Sequence, residues 1–173
     1  MAYLEKNVLI NRITGYLTDT LAEDGVRSAA TPAMHNCDQV RLICRWSHKG
    51  VDVITGHGCF GLHRKVITDA GCAGRFGSLV VDCELEINPV ATKECCLCFF
   101  DGCCHKYVSR YPVNALYMDC TLDKQNCNRS LLGLAKLFGS VSAANACGKC
   151  TIGPCSLASS VQNRKDVTSI CPK

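Results

Sequence analysis

The stretch ECCLCFFDGCCH, residues 94–105, places five cysteines and one histidine within twelve positions. Cys95 and Cys98 have the two-residue gap that lets two thiolates bind one tetrahedral metal ion from a tight turn. Thiolate together with imidazole is the ligand set that suits zinc, and His105 lies within reach. Adjacent cysteines rarely bind one ion together, so we expect one member of each pair to bind metal and the other to pack. The stretch therefore predicts a fold braced by zinc.

A second cysteine cluster, ACGKCTIGPC, spans residues 146–155. Gly148 and Gly153 give its turns conformational freedom, and Lys149 favours deprotonated thiols nearby. Together the two clusters predict two zinc ions. The candidate ligands are Cys95, Cys98, His105 and Cys120 for the first ion, and Cys147, Cys150, Cys155 and Cys171 for the second.

A looser third set of cysteines and histidines precedes these clusters and is a candidate for a third zinc ion. It consists of Cys37, Cys44, His48, His57, Cys59 and His63. The alternative to zinc is a disulfide-rich secreted binding protein, because sixteen cysteines can pair evenly and residues 128–130 form a glycosylation sequon. Histidine inside the first cluster favours metal over disulfides.

Composition narrows the class of protein. The chain has 173 residues, 16 of them cysteine, with 47% hydrophobic and 20% charged residues and a net charge of +4. This excludes a mostly disordered chain and permits an anionic partner without requiring one. No run reaches the roughly 18 apolar residues that span a bilayer, and no secretory signal is visible. We therefore expect a protein of a reducing compartment.

The residue patterns predict an α+β fold with an N-terminal helix, a small irregular antiparallel β region and a loop-rich, zinc-braced C-terminal half with one helix. Residues 1–90 hold the first helix and the β region, and residues 91–173 form the cysteine-rich region. The predicted helices are 3–24, from the four-residue spacing of Leu9, Ile13, Leu17 and Leu21, and Ser130–Val141. The predicted strands are Val40–Cys44 and Val51–Ile54, joined by a turn at 48–50, and Ser78–Ile87.

Positively charged residues interleaved with aromatic residues indicate a nucleic acid as a binding partner. A zinc-braced surface with lysine, arginine and stackable rings suits weak, salt-dependent binding of RNA. The candidate RNA-binding residues are Arg45, Lys49, Arg64, Lys65, Lys106 and Arg110.

Catalysis has one candidate residue. Cys72 lies between glycine-rich positions, as the nucleophile of viral chymotrypsin-like proteases does. A thiolate there needs a histidine base and an oxyanion hole, and too few residues precede Cys72 to supply a first barrel. No phosphate loop, dinucleotide fingerprint or metalloprotease motif is present. We therefore expect a protein that is not an enzyme.

The order of these motifs resembles the tenth non-structural protein of the coronavirus replicase, a small zinc protein with two zinc fingers. The similar segments lie in the same order in the chain. They are the helix ending near Asp24, NCDQVRLIC at 36–44, KGVDVIT at 49–55, CCLC at 95–98, His105, KYV at 106–108 and CGKC at 147–150. Residues 58–92 look like an insertion, Cys120 follows His105 at a longer gap than in the family, and Cys155 lacks the family's second nearby cysteine.

This resemblance implies a viral, non-enzymatic cofactor in the host cytoplasm. Such a protein binds zinc and weakly binds RNA, and it docks on replicase proteins to stimulate them.

A second interpretation starts from SLLGLAKLF, residues 130–138. It is similar to the elongin-binding box of viral ubiquitin-ligase receptors, which follows a Cys/His zinc segment. Host ubiquitin-ligase components would then bind Leu131, Leu134 and Phe138. A third class, the cysteine-rich viral suppressors of RNA silencing, shares the zinc and RNA expectations.

Overall fold

The computed structural model describes residues 2–33, 37–38, 40–87, 89, 94–137, 146–159 and 161. It confirms the α+β class. The helices are α1 (Ala2–Glu23), α2 (His48–Ile54), α3 (Leu97–Asp101), α4 (Lys106–Arg110) and α5 (Lys124–Leu137), with short 3-10 turns at Pro112–Asn114 and Lys149–Thr151. The strands are β1 (Ser28–Thr31), β2 (Cys37–Asp38), β3 (Ile43–Cys44), β4 (Gly58–Phe60), β5 (Val66–Thr68) and β6 (Ser78–Val81).

The strands form three separate antiparallel pairs. β1 pairs with β6 in the register Ser28 to Val81, β2 pairs with β3, and β4 pairs with β5 in the register Gly58 to Thr68. An isolated two-stranded pair is marginally stable in water. These pairs therefore depend on the helices and loops that pack against them.

Helix α1 confirms the predicted N-terminal helix, but its packed face differs from the predicted one. Most of the apolar side chains at four-residue spacing are exposed, namely Leu9, Ile13 and Leu17. The buried positions are Asn7 and Thr14, and α1 contacts β1 and β6. A Cβ at Gly77 would lie only 2.8 Å from the Thr14 side chain, so the missing side chain at Gly77 lets α1 approach. The apolar stripe of α1 is left on the surface.

The predicted hairpin over residues 40–54 is wrong. Residues 48–54 form helix α2, because the Ser47 hydroxyl caps it by accepting a hydrogen bond from the Gly50 N–H at 3.1 Å. A good N-cap outweighs the β propensity of a short valine-containing run. Upstream, Asp38 Oδ1 accepts from the Val40 and Arg41 N–H groups and turns the chain, so only Ile43–Cys44 of the predicted strand is extended.

The predicted strand Ser78–Ile87 is shorter than expected. Only Ser78–Val81 pairs, because its partner β1 covers four residues and the Arg27–Asp82 ion pair follows directly. Ile87 is 92% exposed. Sequence reasoning missed β1, whose Ser-Ala-Ala-Thr sequence carries little β signal.

The predicted C-terminal helix begins earlier than expected. Helix α5 starts at Lys124, since Asp123 Oδ1 accepts from the Asn126 N–H at 2.9 Å and caps it. The predicted N-caps, Asn128 and Ser130, lie inside the helix. Residues 138–141 of the predicted helix lie outside the described residues.

The hydrophobic core joins the two predicted regions. Leu62 and Ile67, from the β4–β5 hairpin, pack with Tyr107, Tyr111 and Leu116 of the cysteine-rich region. Several thiols complete this cluster: Cys72, Cys95, Cys96 and Cys155. The hairpin and the cysteine-rich region thus share one core. None of the helices in the described part of the chain has the length and apolar character needed to cross a bilayer.

Candidate metal centres and cationic residues

The first candidate centre is built around Cys98. Cys96 is the N-cap residue of α3 and Cys98 lies in its first turn. Gly102, with φ of 74°, ends α3 and turns the chain toward His105. The Cys98 Sγ atom lies 3.9 Å from His105 Nδ1. Sulfur and nitrogen that share one tetrahedral zinc ion lie about 3.6 Å apart, so this pair is close to the separation that zinc imposes.

Three further thiols surround Cys98. Burial, followed by the thiols of Cys96, Cys120 and Cys104, raises the pKa of Cys98 to about 11. Burial also raises the pKa of Cys104. Thiolates this close together would repel one another, so the free groups stay protonated. A divalent cation that replaces the protons would neutralise the thiolates and remove the repulsion. We call Cys96, Cys98, Cys104, His105 and Cys120 the Cys98 group.

Cys95, a predicted ligand, has other contacts than the members of this group. Its backbone N–H donates to Cys59 Sγ at 3.0 Å and to Glu94 Oε1 at 3.0 Å. Cys96 has extended backbone angles, and successive side chains on extended backbone point to opposite sides. The side chains of Cys95 and Cys96 therefore point to opposite sides, and the Cys96 thiol is the one that acts on Cys98. The adjacent Cys95 and Cys96 indicated a site here, but the sequence did not identify which of the two lies beside Cys98.

The second candidate centre contains Cys147 and Cys150 together with Cys127, which we call the Cys127 group. Burial and the neighbouring Cys150 and Cys147 thiols raise the pKa of Cys127, opposed by a hydrogen bond from Tyr111. Burial and the same thiols raise the pKa of the Tyr111 hydroxyl. Sequence reasoning did not assign Cys127 to a site, because it lies twenty residues before Cys147 on helix α5.

Cys155 packs with Cys72 and Tyr107. Its carbonyl accepts from the Cys72 N–H at 2.7 Å. Cys155 is buried and belongs to the same core cluster as Tyr107. These contacts place Cys155 in the core, so its predicted role as a ligand beside Cys147 and Cys150 gains no support. Cys171, the predicted fourth ligand, lies outside the described residues.

The predicted third set is not assembled. Cys37 and Cys44 pair across β2 and β3 and form a disulfide with each other. His48 Nδ1 contacts the Ser78 hydroxyl at 2.8 Å, and His57 contacts Thr55. Within the described residues, no three histidine, cysteine, aspartate or glutamate side chains are already arranged to hold a metal ion. Closure of either cysteine group on a metal ion therefore requires rearrangement of its side chains.

Lys49, Arg64 and Lys65 are neighbours, although the Arg64 guanidinium itself donates to the Cys120 carbonyl. The Lys49 ammonium donates to the Arg64 carbonyl at 3.2 Å, and burial with the charge of Lys65 lowers the pKa of Lys49 to about 8. The other predicted residues lie elsewhere: Arg110 donates to the Ile152 carbonyl at 2.9 Å, and Lys106 begins α4. Arg45 is exposed after β3.

The predicted partner-binding residues are divided between two environments. Leu131 is half-buried and lines a cavity, whereas Leu134 lies on the exposed surface of α5. Phe138 lies outside the described residues. An elongin-type groove contact would need Leu131 to leave that cavity wall.

Cys72, the candidate nucleophile, is buried. It lies 3.5 Å from the Tyr107 hydroxyl, and burial raises the pKa of its thiol. A nucleophilic cysteine needs a lowered pKa and access to a substrate. The surroundings of Cys72 favour a packing role.

His63 is a buried residue whose environment the sequence did not indicate. It is 0% exposed and its ring stacks on Tyr107 with a centroid distance of 4.0 Å. Neither ring nitrogen has a hydrogen-bond partner within the described part of the chain. Burial, with the charges of Lys65 and Lys49, lowers the pKa of His63 to about 4. The imidazole is therefore neutral in the folded protein at neutral pH.

The His63 pKa predicts sensitivity to acid. In the unfolded chain His63 takes up a proton near pH 6.5, whereas in the folded chain it does so only near pH 4. The unfolded state thus binds more protons in this window, so stability falls as the pH drops from 6.5 to 4. We expect the wild type to lose about 3 kcal/mol more than the His63→Phe variant between pH 7 and pH 4, measured by urea unfolding. Acid releases metal from cysteine in both proteins, so that effect cancels in the comparison. An equal loss of unfolding free energy in both proteins would contradict the prediction.

Comparisons with protein-family models, with curated proteins and with solved structures find no match for this chain.

Proposed function

We propose that this protein is a non-enzymatic, zinc-binding protein that binds RNA and acts as an adaptor for other proteins. The observation that carries the proposal is the gathering of cysteines into the Cys98 group and the Cys127 group. The Cys98 group offers five metal-ligating side chains and the Cys127 group offers three, so each could hold one zinc ion, the second with one position left for a further ligand. Cys98, His105, Cys120, Cys147 and Cys150 remain from the predicted ligands, and Cys96, Cys104 and Cys127 join them.

The small share of cysteines that pair in the structure supports zinc over a disulfide scaffold. Twelve cysteines of the described chain are outside disulfides, whereas Cys37, Cys44 and Cys103 are bonded. A secreted domain stabilised by disulfides pairs most of its cysteines. We propose that the protein acts in a reducing compartment, where thiols stay free to bind metal.

Surface residues support the proposed binding of RNA and of protein partners. Lys49, Arg64 and Lys65 are neighbours, and within the described residues none of them forms an ion pair with a carboxylate. The exposed apolar side chains of α1, including Tyr16 at 70% exposure, are of the kind that protein partners cover. The cofactor role that the sequence resemblance implies has the same three components of zinc, RNA and protein partners.

Native mass spectrometry under reducing conditions tests the zinc assignment. We expect two zinc ions in the wild type and one in each of the Cys98→Ser and Cys150→Ser variants, since each removes a central ligand. Cys83→Ser is the matched control, because Cys83 is exposed and outside both groups, and it should keep two. Two ions in all three variants, or none in the wild type, would refute the assignment.

A further inference from the structure

Two adjoining cavities form a cleft beside the start of helix α1. Their volumes are about 310 and 410 Å³, within the range of small-molecule sites. They share Tyr3, Lys65, Gly74, Arg75 and Thr151 in their walls. We call the two cavities together the lysine cleft.

The lysine cleft is cationic without compensating acids. Lys49, Lys65 and Arg75 line its first cavity, and Lys6 lines the second. No aspartate or glutamate lines either cavity within the described residues. Like charges gathered in a half-buried cleft raise the free energy of the folded chain until an anion neutralises them.

Lys49 is half-buried among these cations. Burial and the charges of Lys65 and Lys124 lower its pKa to about 8, and the Cys150 thiol opposes this fall. One of its three donors reaches the Arg64 carbonyl at 3.2 Å. An anion in the first cavity would favour the charged form of Lys49 and accept its remaining hydrogen bonds.

Aromatic side chains lie in the same walls. Tyr3, Trp46 and Phe76 line the first cavity. The indole N–H of Trp46 has no hydrogen-bond partner within the described residues, and the Arg75 guanidinium lies 4.5 Å from the centre of the Tyr3 ring. Cations beside stackable rings are the combination with which proteins bind single-stranded nucleic acid.

We propose that the lysine cleft binds one nucleotide unit of single-stranded RNA, with its phosphate on Lys49, Lys65 and Arg75 and its base against the aromatic wall. The phosphate is assigned to the first cavity, because Lys49, Lys65 and Arg75 all line it, whereas Lys49 is absent from the walls of the second. This inference specifies the RNA-binding part of the proposed function.

Trp46 is the single tryptophan of the chain, so its fluorescence reports directly on the cleft. The probes are adenosine 5′-monophosphate, adenosine and inorganic phosphate, titrated into the zinc-loaded protein. We expect saturable quenching by the nucleotide, with at least tenfold weaker binding of adenosine and of phosphate. The Lys49→Gln/Lys65→Gln variant should bind the nucleotide at least tenfold more weakly than the wild type.

The matched control is Arg12→Gln/Lys136→Gln, which removes the same charge from two exposed residues outside the cavity walls. It should bind within twofold of the wild type. No saturable quenching, or equal affinity of the wild type and the cleft variant, would overturn the inference. Phosphate binding as tightly as the nucleotide would also overturn it, because the aromatic wall would then contribute nothing.

The zinc count of each variant keeps this test separate from that of the proposed function. Two zinc ions with no nucleotide binding would reject the cleft alone. Nucleotide binding by a protein that holds no zinc would support the cleft and reject the metal assignment.

Discussion

Removing zinc with a chelator under reducing conditions is expected to unfold the cysteine-rich half of the protein. Structural zinc contributes about 10–16 kcal/mol of binding free energy at pH 7 in small zinc domains, whereas whole domains are stable by only about 5–15 kcal/mol. Helices α3 and α4 have five residues each, and helices this short are not stable alone in water. Loss of the metal therefore leaves little to hold this region folded.

The shared core sets how far the unfolding spreads. Leu62 and Ile67 pack with Tyr107 and Tyr111, so hairpin β4–β5 should lose its protection together with residues 94–127. Helix α1 packs on the β1–β6 pair instead. Residues of α1, β1 and β6 should therefore keep more of their protection than the cysteine-rich half.

Hydrogen exchange read by mass spectrometry, with and without chelator, measures this pattern. Protection should return when zinc is added back, and the Cys83→Ser variant should behave as the wild type. Unchanged protection of residues 94–127 after complete removal of the metal would contradict the expectation. The two cysteine groups would then be packing features of a core that is stable without metal.

The parts of the fold that the sequence predicted are those with a strong local signal. The long N-terminal helix and the helix near residue 131 were predictable from periodicity, although the exposed stripe of α1 shows that periodicity does not identify the buried face. Helix α2 was not predictable from valine content, because the Ser47 hydroxyl decides it.

The candidate sites were predictable in their position along the chain but not in their membership. The density of cysteine located both groups. Whether Cys95 or Cys96 faces Cys98 depends on the extended backbone of Cys96, just before α3. Cys127 comes near Cys147 only through tertiary packing. The lysine cleft requires the start of α1 to meet the loop around Arg75, where the Arg75 guanidinium donates to Asn7. No local pattern encodes that contact.

The substitution Gly71→Ala is expected to destabilise the protein by about 4 kcal/mol. Gly71 has φ of +87°, a conformation that costs a residue with a Cβ atom about 1–2 kcal/mol. The added Cβ would also lie 2.4 Å from the Ser156 carbonyl oxygen and 2.6 Å from the Ala158 nitrogen. Both atoms are backbone and cannot rotate away, so the clash adds about 1–3 kcal/mol.

The clash falls on the contact that joins the two halves of the chain. The Cys72 N–H donates to the Cys155 carbonyl at 2.7 Å, and the Ala73 N–H donates to the Ser156 carbonyl at 3.0 Å. Moving the chain to admit the methyl group would stretch both hydrogen bonds and expose Cys72 and Cys155, which are buried. The substitution therefore lowers the free energy of unfolding by disturbing the shared core.

Gly74→Ala is the matched control, since it lies three residues away, has no atom within 4 Å of its added Cβ and does not need a positive φ. It should change stability by less than about 1 kcal/mol. Thermal unfolding should separate the two variants by roughly 10 °C, because each kcal/mol shifts the midpoint by about 2–4 °C in a chain of this size. Equal midpoints would mean that segments 71–73 and 155–158 separate at little cost. The core would then not join the β4–β5 hairpin to the cysteine-rich region, and the pattern of unfolding expected on zinc removal would fail with it.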